Sequence, residues 1–168
     1  MRIFLSCIFF ISLLHPLVSQ KSFKNLISDL ETTDQFSRIS IPLNVLRKGI
    51  RLGLQKAEIE SNLNKLATGI QKANLYSTEI EDMEEQKITS ILSGHKKRLI
   101  QKDFFQEWFS YREKDERVSL LLLANDLTIT KIVLINQKKS TVRIYEFSTS
   151  IAKSEFEKLM WQRELRRI

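Results

Sequence analysis

Three apolar runs in the last third of the chain leave it few folds to choose from. Val118 to Ala124 is apolar enough to be a buried strand, and Asn125-Asp126 suits a tight turn. Leu127 to Ile135 is rich in β-branched residues and returns as a second strand. Gln137-Lys138-Lys139-Ser140 turns the chain again. Thr141 to Phe147 then alternates Val142 and Ile144 with Thr141, Arg143 and Tyr145. Three successive strands with short turns predict an antiparallel meander. The run from Val118 to Leu123 belongs inside the sheet, because an exposed edge so uniformly apolar would invite aggregation.

Helical spacing dominates what comes before. Phe23, Leu26, Ile27 and Leu30 fall at i, i+3, i+4 and i+7 and predict a helix from Lys21 to Thr33. Phe36 to Ile41 alternates and stops at Pro42, as a short strand or an extended approach to a helix does. Leu43 to Leu54 carries Leu46, Ile50 and Leu54 on one stripe, and Glu58 to Leu66 carries Ile59, Leu63 and Leu66. Gly69 breaks the helical pattern, and Ile70 to Ser77 can run as a strand. The next helix is expected to begin near Asp82 and to present Ile88, Ile91, Leu92 and Leu99. Asp103 is placed to cap a further helix with Phe105, Trp108 and Phe109 on one face. Ser148-Thr149-Ser150 would open a last helix carrying Ile151, Phe156, Leu159 and Met160. The expectation is an α+β fold: an antiparallel sheet with a C-terminal three-strand meander, its helices packed mainly on one face.

The other end of the chain reads as an address. In MRIFLSCIFFISLLHPLVSQ, Arg2 supplies a positive n-region and Ile3 to Leu14 an apolar core. Pro16 breaks the helix, and Val18-Ser19-Gln20 offers a small residue for cleavage after Ser19 or Gln20. The apolar run is shorter than the roughly 20 residues a bilayer span needs. Residues 1–20 are therefore read as a signal peptide and residues 21–168 as a single α+β domain, exported to the periplasm or secreted. Contact with a membrane is expected only through a signal left uncut. Cys7, the one cysteine, lies within the signal, so the remaining domain has neither a disulfide nor a thiolate metal site.

The formal net charge is +7, of which Arg2 contributes one, leaving +6 after the signal. The bases are scattered, and the densest runs, Lys96-Lys97-Arg98 and Arg163-Arg166-Arg167, fall at expected helix ends, where cations complement the helix dipole. Nucleic acid is not expected as a partner, since export removes the usual targets and no recognised binding motif is present.

The export signal, the Ile39-Ser40-Ile41-Pro42 lead into a helix and the Gly69-Ile70 start of a strand form one pattern. The acidic opening of a long helix, Phe104-Phe105-Gln106-Glu107-Trp108 and the closing meander-plus-helix continue it. In this pattern the chain resembles a family of small exported proteins of unknown function, common in Bacteroidetes, over roughly Phe23 to Met160. The resemblance implies an exported α+β domain and brings no active-site residue with it.

Chemistry-bearing constellations are sparse. Glu79-Ile80-Glu81-Asp82-Met83-Glu84-Glu85 has the oxygens a hard cation needs but lacks the spacing and glycine of a calcium loop, and acids at a helix start are expected from the dipole. His95 is the only histidine after the signal, too few for a zinc site without converging carboxylates. It borders the Ile91–Leu99 stripe, and no Gly-x-Ser-x-Gly elbow accompanies it. Aromatic and basic residues remain. Phe104, Trp108, Tyr111, Lys96, Lys97 and Arg98 are the candidate contacts for a ligand or partner. No catalytic residue, metal or cofactor is assigned. The expected function is a non-enzymatic binding or interaction domain, with an envelope protein or surface component as partner. A carrier of a small apolar ligand between sheet and helices is the alternative, and a hydrolase using acids around His95 a weaker one.

Overall fold

The computed structural model describes residues 21–33, 35–54, 66–79, 85–139 and 141–164. The expected signal and nearly all of the expected helix from Glu58 to Leu66 lie outside them. Among the described residues, helix α1 (21–31) precedes β1 (Ser37–Ile41), α2 (Leu43–Leu54), a single helical turn at 66–69 and β2 (Ile70–Glu79). Helix α3 (Glu85–Lys102) then leads to β3 (Gln106–Glu113), β4 (Glu116–Ala124), β5 (Thr128–Lys138), β6 (Thr141–Ala152) and α4 (Lys153–Glu164). The six strands form one antiparallel sheet in the order β1-β2-β6-β5-β4-β3. The fold is α+β, as the order of the apolar patterns predicts.

The expected three-strand meander is β4-β5-β6, and β3 extends it by a fourth strand. Gln106–Glu113 is a strand, where the spacing of Phe105, Trp108 and Phe109 predicts a helix. A bulge between Glu107 and Phe109 shifts the register against β4, so the aromatics lose the strict alternation that marks a strand. Asp103 caps no further helix. It is buried just beyond the end of α3, where Phe104 takes a left-handed φ of 59° and the Phe105 N–H donates to the Leu99 carbonyl at 3.0 Å. At the other end, β6 runs on to Ala152. Ser148-Thr149-Ser150 therefore lies in the sheet, and Ile151 is a strand residue. The Thr149 hydroxyl is buried and donates to the Ile129 carbonyl at 2.7 Å, beside a bulge in β5.

Two apolar clusters flank the sheet. On one face Phe23, Leu26, Ile27 and Leu30 of α1 and Ile88, Leu92 and Leu99 of α3 pack on Tyr76, Leu121, Val133, Ile135, Val142 and Ile144. The strand residues of this set sit opposite one another, as in Tyr76–Ile144 and Leu121–Val133, so they share a face. On the reverse face Leu120, Leu122, Ile129 and Ile151 gather around Phe156 of α4, with Leu66 and Trp108 against them. α3 links β2 to the far edge strand and so crosses the first face, whereas α1 ends on β2. The Thr33 hydroxyl donates to the Leu30 carbonyl at 2.7 Å and pairs with the Thr78 hydroxyl at 2.8 Å.

Candidate functional site

Charged side chains interrupt the largely apolar face under α1 at one place. Beyond Val142 and Ile144, the next in-phase residue of β6 is Glu146, buried and directly opposite Asn74 of β2. Lys131 arrives from β5, where the bulge between Ile129 and Lys131 sets it opposite Ser148, diagonal to Glu146. The Lys131 ammonium donates to Glu146 Oε1 at 2.7 Å. Glu146 Oε2 accepts from Asn74 Nδ2 at 3.0 Å and from the Tyr76 hydroxyl at 2.9 Å. Lys131 also lies 5.2 Å from the centre of the Phe23 ring, and the Arg38 guanidinium 5.4 Å from that of Tyr76.

These groups floor a cleft of about 460 Å³ between α1 and strands β1, β2, β5 and β6. Its rim carries Lys24, Glu31, Arg38 and Lys72, with Ser28 and Ser148 between them. Four cations and two carboxylates line the whole, so the cleft is net positive.

Burial alone would raise the Glu146 carboxyl. The Lys131 and Asn74 hydrogen bonds, the Lys131 charge and the Tyr76 hydrogen bond outweigh it and hold the group below the usual carboxylate range. Tyr76 moves the other way. Burial, then the Glu146 charge and the hydrogen bond to it, push the phenol well above its ordinary value, against smaller opposing effects of Arg38 and Asn74. A carboxylate with both oxygens occupied and a lowered proton affinity is a poor general base, and a phenol held neutral is a poor acid. The arrangement is suited to holding a ligand by fixed charges and dipoles.

The residues singled out in the sequence do not converge. Lys96 turns toward the sheet, where it pairs with Glu107 at 2.6 Å and donates to the Ser119 hydroxyl at 3.0 Å. Lys97 and Arg98 are exposed on α3. Phe104 is exposed at the left-handed corner. Trp108 is half-buried on the reverse face, edge-on to Phe156 with ring centres 5.5 Å apart. Tyr111 is exposed on β3 and donates to Glu113. Of the six, Lys96 and Tyr111 share a second, smaller pocket of about 250 Å³ between α3 and strands β3 to β5. His95 is buried, with Nε2 2.7 Å from Asp29 Oδ2 on α1 and Nδ1 buried without a partner. It ties two helices together and lines neither pocket.

Sequence reasoning missed the Glu146 cluster, whose members are up to 72 positions apart. One signal was present: a charged residue in phase with Val142 and Ile144 on the apolar side of its strand. Among the described residues no three His, Cys, Asp or Glu side chains are grouped to hold a metal, and no helix is long and apolar enough to cross a membrane. No family model matches the chain, and no curated protein matches it by sequence.

Proposed function

We propose that the chain is an exported, non-enzymatic binding domain of the cell envelope whose ligand sits in the cleft beneath α1. The ligand class is a small polar molecule bearing an anionic group. One observation carries this reading: a largely buried Glu146–Lys131 pair, with both Glu146 oxygens hydrogen-bonded, floors an open cleft whose rim adds Lys24, Arg38 and Lys72. A buried ion pair is a poor source of stability by comparison with apolar packing of the same volume. Its presence beside a cleft is accounted for if its fixed charges orient a ligand. The charged lining does not favour an apolar cargo, which would need a dry, apolar chamber. A proton-transfer role draws no support from the lowered Glu146 or from His95, whose free nitrogen faces the interior.

Native and denaturing mass spectrometry of the protein purified from its host's envelope tests the proposal. Export predicts a denatured mass lacking residues 1–19 or 1–20. Binding predicts additional native mass, lost on denaturation and lost again in Arg38→Gln and Lys72→Gln variants. A bare native chain that also fails to bind small carboxylates and phosphate esters in calorimetric titrations would overturn it.

A further inference from the structure

The hairpin joining β3 to β4 carries a charge arrangement that its own acids do not relieve. Arg112 and Arg117 are directly opposite in the ladder. Like charges so placed repel, because cross-strand partners on one face are within side-chain reach. The neighbouring pair, Glu113 and Glu116, is one residue further along each strand and therefore projects to the other face. There, Glu113 accepts from the Tyr111 hydroxyl, while Glu116 takes Asn136 Nδ2 at 3.1 Å and faces Lys138 at 3.9 Å. Glu107, further along β3, is committed to Lys96 at 2.6 Å. Among the described residues neither guanidinium has a carboxylate partner.

Both arginines line the smaller pocket, about 250 Å³ in volume and bounded above by α3. Hydroxyl and amide groups share its walls with Leu92 and Ile135. Thr89 Oγ1 accepts from Gln137 Nε2 at 3.0 Å, which leaves its own proton free to point elsewhere. Ser110 and Ser119 are opposite each other on the arginine face, with their oxygens 3.3 Å apart. Two guanidinium groups beside several hydroxyls, in a small pocket whose charged lining is all cationic, match one ligand chemistry. We propose that this pocket is an oxyanion site that takes a phosphate-class group, bound bidentately by Arg112 and Arg117. It is separate from the cleft beneath α1 and does not depend on that cleft being a ligand site.

The test uses the purified protein at low ionic strength, with inorganic phosphate as probe and chloride at matched ionic strength as control. Calorimetry and thermal denaturation should give saturable binding and a rise in Tm with phosphate but not with chloride. Arg112→Gln and Arg117→Gln should each weaken binding by about tenfold or more, the scale of one lost charge-assisted contact. Arg143→Gln, exposed on the opposite face of the sheet and outside both pockets, should leave it unchanged. Without phosphate, either arginine variant should melt no lower than the wild type, since it relieves repulsion. Replacing phosphate by glycerol phosphate separates the sources: tighter binding of the ester identifies a group carried on a larger molecule, and equal or weaker binding a free anion. The proposal fails if chloride matches phosphate, or if the arginine variants bind phosphate as the wild type does. It also fails if those variants are destabilised without anion, because the guanidinium groups would then already hold an internal partner.

Discussion

Lys131 Nζ lies 2.7 Å from Glu146 Oε1 with only 15% and 11% of the two side chains exposed, so each charge depends on the other for most of what water would supply. Removing one partner from a fully buried pair costs roughly 3–5 kcal/mol, because the remaining charge is stranded. The open cleft admits some water here. Lys131→Ala is therefore expected to lower stability by about 2–4 kcal/mol, toward the lower end of that range. Converting both residues, as Lys131→Met with Glu146→Leu, should restore most of the loss. Denaturant titration of the single and double variants checks this, and a single variant within about 0.5 kcal/mol of the wild type would mean that the pair is loosely held.

Acid should reveal the same pair. Glu146 has its folded pKa below the ordinary carboxylate value, so the folded state holds its carboxylate in preference to the acid. That contribution is present above the unfolded value and is lost as pH falls through it toward the lowered folded value. Stability of the wild type should decline from about pH 5 downward more steeply than that of Glu146→Gln, which has no proton to take up there. Melting curves between neutral and acid pH decide it. Parallel declines would place the acid sensitivity elsewhere.

How much of this was legible follows from which forces leave a local trace. The helix stripe Phe23–Leu30 and the strands from Val118 onward are patterns within one element, so the period discloses them. The β3 aromatics follow a helical spacing because a bulge inserts one residue into the strand alternation. A sequence window contains no partner strand against which to detect it. Ser148-Thr149-Ser150 resembles a helix cap for the same reason, since Thr149 finds its acceptor, the Ile129 carbonyl, 20 residues away. The Glu146 cluster required the pairing of β2 with β6, and strand order was open from the sequence. Only the placement of a carboxylate in phase with Val142 and Ile144 hinted at it.

Gly69 holds a position that no local pattern assigns to it. A Cβ there would lie 2.5 Å from Ile151 Cγ1 and 3.1 Å from the Ser150 carbonyl oxygen. The side chain could turn aside, but the Ser150 backbone is fixed in β6. Gly69→Ala is expected to destabilise by about 1–3 kcal/mol, the range for overpacking a filled site. Gly94, with nothing within 4 Å of its Cβ position, is the control: Gly94→Ala on α3 should stabilise by about 0.5–1 kcal/mol. Shifts in opposite directions are expected in paired thermal melts, and a neutral Gly69→Ala would show that Ile151 has room to move.

The β3–β4 turn consists of Lys114 and Asp115, a pair without the Asn-Gly or Asp-Gly signature that marks a hairpin. Its geometry is nonetheless demanding. Lys114 has a left-handed φ of 44° and is exposed, and the Asp115 carbonyl accepts the Lys139 N–H at 3.0 Å, which locks this turn to the neighbouring one. A side chain in the left-handed region costs roughly 1–2 kcal/mol, and glycine removes that strain at the expense of about 0.5–1 kcal/mol of extra freedom in the unfolded chain. Lys114→Gly should therefore raise stability by about 0.5–1 kcal/mol, while the same change at an exposed strand position such as Lys138 should lower it. Because the turn sets the register that places Arg112 opposite Arg117, the stabilised hairpin should bind phosphate at least as well as the wild type. A Lys114→Gly variant of lower stability would mean that the lysine side chain contributes more than its backbone strain removes.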